Sequence, residues 1–233
     1  GILREKARKL NEVYIKYMKT KKPFVILKLA MSLDGKIATS TGDSKYITSR
    51  TARKYVHQLR NDADAIMVGI NTITRDNPIL DSRLVKGKNP TKIIVDSTLK
   101  ISERAKVLKD PSKVIIATTK KAPKEKIDKL HQKGIQILVL KPEAGLVDLK
   151  ELMKELGKSG ITPVMIEGGA ELSGNAIKEG IVDKILMFTA PKIIGNGLGP
   201  IKNLGIKKVN KAINLKNIIT KKIGNDLLVE GNL

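Results

Sequence analysis

The chain has no cysteine and no tryptophan, and aromatic residues make up only 3% of its 233 residues. The absence of cysteine excludes a disulfide framework, a thiolate nucleophile and any zinc site with cysteine ligands. No apolar run approaches the roughly 18 residues of a membrane span, and the N-terminus is too charged for a signal peptide. We therefore expect a soluble, cytoplasmic protein with no membrane partner and no metal.

Basic residues greatly outnumber acidic ones, with 45 Lys and Arg against 23 Asp and Glu and a formal net charge of +22. A basic surface can bind nucleic acid through its phosphates, or it can attract small anionic ligands. The low aromatic content argues against base stacking, although it leaves recognition of duplex shape open. Abundant lysine and isoleucine without cysteine also fit a protein from a hot environment.

Short apolar runs alternate with helical patterns, which predicts an α/β fold with a mostly parallel sheet. The predicted strands cover residues 24–30, 63–68, 92–95, 114–117, 135–140, 164–166 and 184–188. Predicted helices cover 3–18, 48–60, a short stretch before Asn77, 123–132, 148–156 and a segment stopped by Gly180. Residues 213–233 predict an antiparallel hairpin that turns at Gly224-Asn225. We expect a helical extension over 1–22 and a single domain over 23–233.

The segment 161–180 combines a buried strand, two glycines and a helix. Gly168 and Gly169 have no side chains to keep an anion away, and the first N–H groups of the following helix point toward it. Glu167 ends the strand, where side chains of α/β sheets face the ligand cleft. The segment therefore predicts a phosphate cradle, with an ordinary tight turn as the alternative.

Small and hydroxyl residues also follow other strands. Gly69 is followed by Asn71 and Thr72, both good N-caps, so a second anion cradle is possible there. Ser97-Thr98 and Thr118-Thr119 extend the pattern, which predicts one long cleft for a phosphorylated dinucleotide. The alternative is that these are ordinary loop residues. His57 has no second ligand at helical spacing, so we expect a surface or core histidine rather than a metal ligand.

Three segments, in this order, resemble the riboflavin-biosynthesis pyrimidine reductases: KLAMSLDGKIAT, SKYITSRTARKYVHQLRNDADAIMVGINTITRDNPIL and VMIEGGAELSGNAIKEGIVDKILMFTAPKIIGNG. The resemblance spans about residues 24–230 and implies the dihydrofolate-reductase-like fold, which has three layers, a mostly parallel central sheet and an antiparallel C-terminal edge hairpin. A fused zinc deaminase needs H-x-E and P-C-x-x-C motifs. Neither histidine here begins an H-x-E, so the chain resembles the stand-alone reductases of archaea and fungi.

This resemblance implies that NADPH reduces the ribosylamino side chain of a 2,5-diaminopyrimidinone 5′-phosphate to ribitylamino, in a homodimer. It implies cofactor contacts from Ala30, Tyr46, Thr72, Asp76, Ser97, Gly168, Gly169, Ala170, Glu171, Leu172, Ser173, Gly174 and Asn175. It implies substrate contacts from Ser44, Arg60, Leu80, Arg83 and Glu167, with the two arginines on the phosphate.

The expected chemistry needs a carboxylate that stabilises a protonated imine at C1′ of the open-chain sugar. Asp34 and Glu167 are the catalytic candidates. The alternatives are that Asp34 only forms a turn with Gly35 and that Glu167 only caps a helix. Two other functions stay open: a pteridine or folate reductase on the same fold, and a basic nucleic-acid-binding protein.

Overall fold

The computed structural model describes residues 3–233, which form a sheet with helices on both faces. The strands are β1 Val25–Ser32, β2 Ala38–Thr39, β3 Ala65–Gly69, β4 Thr91–Val95, β5 Val114–Thr119, β6 Gln136–Leu140, β7 Pro142–Glu143, β8 Leu146–Val147, β9 Val164–Glu167, β10 Lys184–Ala190, β11 Gly197–Leu198, β12 Lys216–Ile223 and β13 Asp226–Asn232. The α-helices are α1 Arg4–Leu10, α2 Glu12–Thr20, α3 Arg50–Asp62, α4 Ile70–Asp76, α5 Lys124–Gln132, α6 Leu149–Lys158 and α7 Ala170–Lys178. Short 3-10 helices cover Lys106–Lys109, Pro111–Lys113 and Val209–Lys211.

Nine strands form the central sheet in the order β12-β13-β10-β1-β9-β3-β4-β5-β6. All neighbours from β10 to β6 pair in parallel, whereas β13 pairs antiparallel with both β10 and β12. The predicted α/β fold with an antiparallel C-terminal edge hairpin is therefore confirmed. The two-residue pairs β2–β11 and β7–β8 carry too little hydrophobic pattern to be predicted from the sequence.

Each central strand divides its side chains between two hydrophobic cores, because successive residues of a strand point to opposite faces. Ala65 and Met67 of β3 join the core that contains residues of α6 and α7. Ile66 and Val68 join the opposite core, which contains Leu130 of α5. The molecule is therefore three-layered, and its inner strands are apolar throughout because both faces are covered.

Local signals at the ends of several elements are confirmed. The Ser49 hydroxyl caps α3 by accepting a hydrogen bond from the Ala52 N–H, and the Asp148 carboxylate caps α6 in the same way. The hairpin turns at Gly224-Asn225, as predicted. The caps predicted for α4 are wrong, because this helix begins directly after Gly69 and has no side-chain cap.

The N-terminal segment departs from the predicted single helix over 3–18. It is broken at Asn11 into α1 and α2, and Leu3, Leu10 and Tyr14, whose helical spacing supported the single helix, are exposed. Polar contacts hold α2 instead, because Tyr17 donates a hydrogen bond to the carbonyl of Gly157 over 3.0 Å. The spacing of the apolar residues predicts a helix, but it does not show whether these residues pack against the rest of the protein or remain exposed. The proposed boundary at residue 22 stays a prediction.

We predict that Gly157→Ala weakens the attachment of α2 to α6. A Cβ atom at this position would lie 2.0 Å from the Lys21 carbonyl oxygen, so the two segments would have to separate. The expected loss in the free energy of unfolding is about 1–3 kcal/mol, a fall of several degrees in Tm. Thermal unfolding measures it. Gly199→Ala is the control, because its Cβ meets no atom within 4 Å. A raised Tm for Gly157→Ala would show that helix propensity outweighs this contact.

Candidate active site

A cleft of about 830 Å³ runs along the carboxyl ends of the parallel strands. The sheet order places the ends of β1, β9, β3 and β4 side by side, so the cleft passes Ala30, Gly168, Gly69 and Ser97 in that sequence. Three strand spacings of about 4.8 Å separate the first of these ends from the last, or roughly 14 Å. A long, narrow ligand therefore fits across the sheet, as expected at the carboxyl ends of an α/β sheet.

The cradle predicted from the sequence is the turn formed by the two glycines after β9. Gly168 and Gly169 have φ angles of +76° and +83°, a left-handed conformation that side chains disfavour. The helix α7 begins at the next residue, so its first backbone N–H groups have no intrahelical acceptors. The Ser173 hydroxyl is fully buried and has no hydrogen-bond partner among the described residues. A free hydroxyl and free N–H groups at one helix start suit a phosphate group.

Helix α4 forms the facing wall of this cradle. A Cβ atom on Gly169 would come within 3.3 Å of the Thr72 hydroxyl, so the cradle closes tightly against α4. Asn71 donates a hydrogen bond to the Glu171 carboxylate over 3.0 Å and joins the two helix starts. The two glycine turns at adjacent strand ends therefore face one space, as predicted. Gly174 does not face it, because a Cβ there would meet the Lys202 carbonyl oxygen at 1.7 Å.

A buried cluster of charges lies beside the cradle, at the side nearer β1. Arg60 of α3 binds the Glu167 carboxylate through two hydrogen bonds, Nε to Oε1 at 2.6 Å and Nη2 to Oε2 at 2.9 Å. Lys28 Nζ lies 3.9 Å from Glu167 Oε2. Arg60 also donates to the Asp81 carbonyl over 3.0 Å. Glu167 is 7% exposed and does not itself line the cleft, so it holds the cleft-lining Arg60 and Lys28 from below.

The pKa values in this cluster follow from burial and mutual attraction. Burial alone would raise the pKa of Glu167, but the adjacent Arg60 guanidinium outweighs it and holds that pKa below its usual value. Burial lowers the pKa of Lys28, and the Glu167 carboxylate offsets only part of this effect. The cluster therefore presents to the cleft a lysine that releases its proton more readily than an exposed lysine does.

Lys28 is a candidate functional residue that the sequence reasoning did not select. It was visible as the only charged side chain in the apolar run 24–30. Charged side chains are rarely buried without a partner, so such an interruption is a usable signal. The partner comes from a strand more than a hundred residues later in the chain, which the sequence does not reveal.

Helix α3 contributes a row of residues that line the cleft. Arg53 stacks over the Tyr46 ring, with the guanidinium carbon 4.1 Å from the ring centroid. Tyr46 is 64% exposed, so its ring is available at the cleft mouth. The cleft brings together most of the predicted site residues: Ala30, Ser44, Tyr46, Arg60, Thr72, Asp76, Leu80, Arg83, Ser97, Gly168, Gly169, Ala170, Glu171, Leu172, Ser173 and Asn175.

Asp34 lies outside the residues that line the cleft. Its carboxylate accepts hydrogen bonds from Ser32 Oγ at 2.6 Å and from the Gly195 N–H at 2.7 Å. These contacts tether the loop after β10, and the Ser32 hydrogen bond lowers the pKa of Asp34 to about 2. The geometry supports the turn-forming alternative, and the catalytic role stays a prediction without structural support.

Thr118 and Thr119 do not extend the cleft, contrary to the prediction. Both are fully buried in β5, one strand beyond β4. The Thr119 hydroxyl donates to the Ser97 carbonyl over 2.7 Å and so supports the cleft wall from behind. The sequence shows that these residues come at the end of a strand, but it does not show whether that end is open to the cleft or covered by other residues. Within residues 3–233, no group of three or more His, Asp or Glu side chains could hold a metal ion.

Comparison with known proteins gives one consistent family. The family model described as the RibD C-terminal domain matches residues 23–229. The chain is 41% identical over 230 residues to the riboflavin biosynthesis protein RibD of Aquifex aeolicus, covering 98% of this chain but only 63% of that protein. It is 38% identical over 202 residues to the 2,5-diamino-6-ribosylamino-4(3H)-pyrimidinone 5′-phosphate reductase of the same organism, covering 84% of this chain and 89% of that one.

Solved structures agree with this match. RibD of Acinetobacter baumannii superimposes with a TM-score of 0.86 at 28% identity, over all of this chain and 64% of that one. Dihydrofolate reductase of Enterococcus faecalis superimposes with a TM-score of 0.51 at 9% identity, over 90% of this chain and 96% of that one. The second likeness shows the fold alone, and it confirms the expected dihydrofolate-reductase-like architecture.

We predict that Arg60→Ala destabilises the protein strongly, because it leaves the Glu167 carboxylate buried without its main partner. Removing one member of a buried ion pair costs about 3–5 kcal/mol in the free energy of unfolding. Arg83→Ala is the matched control, because the Arg83 side chain is 58% exposed and its ion pair should contribute less than about 1 kcal/mol. Urea unfolding measures both. Equal stability of the two variants would contradict a strong contribution of the Arg60–Glu167 pair to stability.

Proposed function

The chain belongs to the RibD C-terminal domain family, and from this premise we propose that it is a reductase of riboflavin biosynthesis. The proposed substrate is a 2,5-diaminopyrimidinone 5′-phosphate with a ribosylamino side chain, which NADPH reduces to ribitylamino. One observation carries the proposal: the Gly168-Gly169 cradle lies directly beside the buried Lys28–Glu167–Arg60 cluster in a single cleft. An anion cradle next to a proton-donating lysine suits a phosphorylated dinucleotide paired with a substrate that needs a proton.

The residues of the cleft fit NADPH across the sheet. The cradle and the Ser173 hydroxyl would hold the pyrophosphate, with Thr72 on the opposite wall. Ser97 would contact the far end of the cofactor, and Ala30 at the end of β1 would lie by the nicotinamide. A bound reduced nicotinamide supplies the hydride. The basic surface of the chain, with its net charge of +22, would attract both phosphorylated ligands.

On the protein side, the proposed mechanism uses the buried charge cluster. The ring-opened substrate is an imine at C1′, and protonation makes it a better hydride acceptor. Lys28 would give this proton as a general acid, because its lowered pKa brings it closer to neutral pH. Glu167 stays ionised beneath it and would stabilise the positive charge that develops on the imine. Arg60 and Arg83 would hold the substrate phosphate.

Several expectations stay predictions: the cytoplasmic location and the heat-adapted source, which composition indicated, and the homodimer, the archaeal source and the stand-alone arrangement, which the resemblance implied. Among residues 3–233, none of the helices combines the length and the apolar character needed to cross a bilayer. Relatives of both the RibD type and the separate reductase type match the chain, so the comparisons leave the stand-alone arrangement open.

We predict that the purified protein oxidises NADPH when given freshly prepared ribosylaminopyrimidine phosphate, followed by the loss of absorbance of the reduced nicotinamide. NADPH should raise Tm, because a ligand that binds only the folded state stabilises it. Gly169→Ala should weaken NADPH binding about tenfold or more, since the left-handed backbone would be strained and the added methyl group would crowd the Thr72 hydroxyl at 3.3 Å.

Gly180→Ala is the matched control for this variant. Gly180 also has a positive φ, +66°, but a Cβ there meets no atom within 4 Å and it follows the other end of α7. Equal NADPH affinity for the two variants would contradict the proposed cradle. Duplex binding that weakens with salt, without any NADPH-induced rise in Tm, would instead favour a nucleic-acid-binding protein.

We predict that Arg83→Ala raises KM for the phosphorylated substrate about tenfold or more and changes kcat little, because a charge-assisted contact to phosphate is lost. This variant separates the proposed reaction from pteridine or folate reduction, whose substrates carry no sugar phosphate. Steady-state kinetics at saturating NADPH measures the effect. An unchanged KM would favour the alternative reductase. Arg60→Ala is the weaker test because the same change also unpairs Glu167.

A further inference from the structure

His57 lies in the wall of the cleft, although the sequence placed it as an ordinary surface or core histidine. It sits on α3 one turn before Arg60 and one turn after Arg53, and all three residues line the cleft. Residues at such spacings share one face of a helix. His57 is only 6% exposed, so its ring is held in the wall rather than free at the surface. No step of the proposed mechanism uses it.

The two ring nitrogens of His57 differ in their surroundings. Nδ1 is buried and has no hydrogen-bond partner among the described residues. Nε2 also has no partner there, but it is not among the buried unpaired atoms, so it is the nitrogen that opens to the cleft. A buried N–H without an acceptor is rare in folded proteins. The hydrogen of the neutral ring is therefore placed on Nε2, where it can donate to a ligand.

The charges around the ring keep it neutral. Burial lowers the pKa of His57, and the nearby Arg60 and Arg83 guanidinium groups lower it further. Asp81 and Glu167 act in the opposite direction without restoring the usual value. A neutral imidazole N–H beside two arginines can donate a hydrogen bond to a bound anion. Because the ring is uncharged, it adds no third positive charge that would repel the two guanidinium groups when the site is empty.

We propose that His57 is a substrate-positioning residue whose Nε2 donates a hydrogen bond to the phosphate group held by Arg60 and Arg83. The inference rests on the proposed function and extends it, because it adds a specificity determinant that distinguishes a phosphorylated substrate from its dephosphorylated form. A phosphate offers only acceptors once ionised, so it matches two guanidinium groups and one neutral donor. Its oxygens would satisfy a donor that the protein itself leaves free.

Two substitutions of similar size separate this role from a merely structural one. The amide nitrogen of Gln can reach the position of Nε2, whereas the shorter Asn can reach only the position of Nδ1. His57→Asn should raise KM for the phosphorylated substrate about tenfold, the loss of one hydrogen bond to a charged group, with kcat within about twofold. His57→Gln should keep KM close to the wild-type value. Neither variant should change KM for phosphatase-treated substrate.

The matched control is His131→Gln, because His131 is the other histidine of the chain, is exposed on α5 and does not line the cleft. Its kinetics should equal those of the wild type. Equal KM values for the Asn and Gln variants, or an equal rise in KM with the dephosphorylated substrate, would overturn the proposal for His57. If His57→Asn does not fold, a rise in KM for a folded His57→Gln with the phosphorylated substrate would overturn it.

The proposed function and this inference fail in different ways. A wild-type protein that does not oxidise NADPH with the phosphorylated substrate would overturn the reductase function, and the phosphate contact of His57 with it. An active wild type whose His57 variants all behave like His131→Gln would overturn only the inference on His57. Thermal unfolding of each variant shows whether a kinetic change comes from loss of the fold.

Discussion

The ion pair between Arg60 and Glu167 joins helix α3 to the end of strand β9 at the floor of the cleft. Both groups are almost entirely buried, and an isolated buried charge is very costly. Their burial is tolerated because the two opposite charges are joined by two parallel hydrogen bonds. Lys28 Nζ lies 3.9 Å from the same carboxylate, and burial lowers the pKa of this lysine although the attraction of Glu167 offsets part of the effect.

The order of the strands in the sheet determines which other residues lie beside this charge cluster. Because β1, β9, β3 and β4 are parallel neighbours, their carboxyl ends form one edge, and loops that are far apart in the chain meet there. The cradle after β9 faces helix α4, while the cluster and the arginines lie toward α3. The cleft thus has one half with the glycine cradle and one half with the buried charges. The Asp34 carboxylate, by contrast, accepts a hydrogen bond from the Gly195 N–H and so holds a loop in place rather than lining the cleft.

Sequence reasoning was accurate where local physics dominates. Apolar runs predicted all the parallel strands of the central sheet, and Gly168-Gly169 predicted the tight turn before α7, because glycine tolerates two successive left-handed residues at little cost. It failed where packing decides. The N-terminal helix has the expected period but docks through polar contacts, and Thr118-Thr119 follow the pattern of the other strand ends but are covered.

The sequence alone determined the alternation of strands and helices, the glycine turns and the antiparallel hairpin, since these follow from side-chain period and backbone freedom within a few residues. Only the tertiary structure decided that Lys28, Arg60 and Glu167 form one cluster and that His57 opens to the cleft. Glu167 lies 107 residues after Arg60, and the sheet order that brings them together is a property of the whole chain. Contacts of this range depend on how many elements pack at once, which no local pattern records.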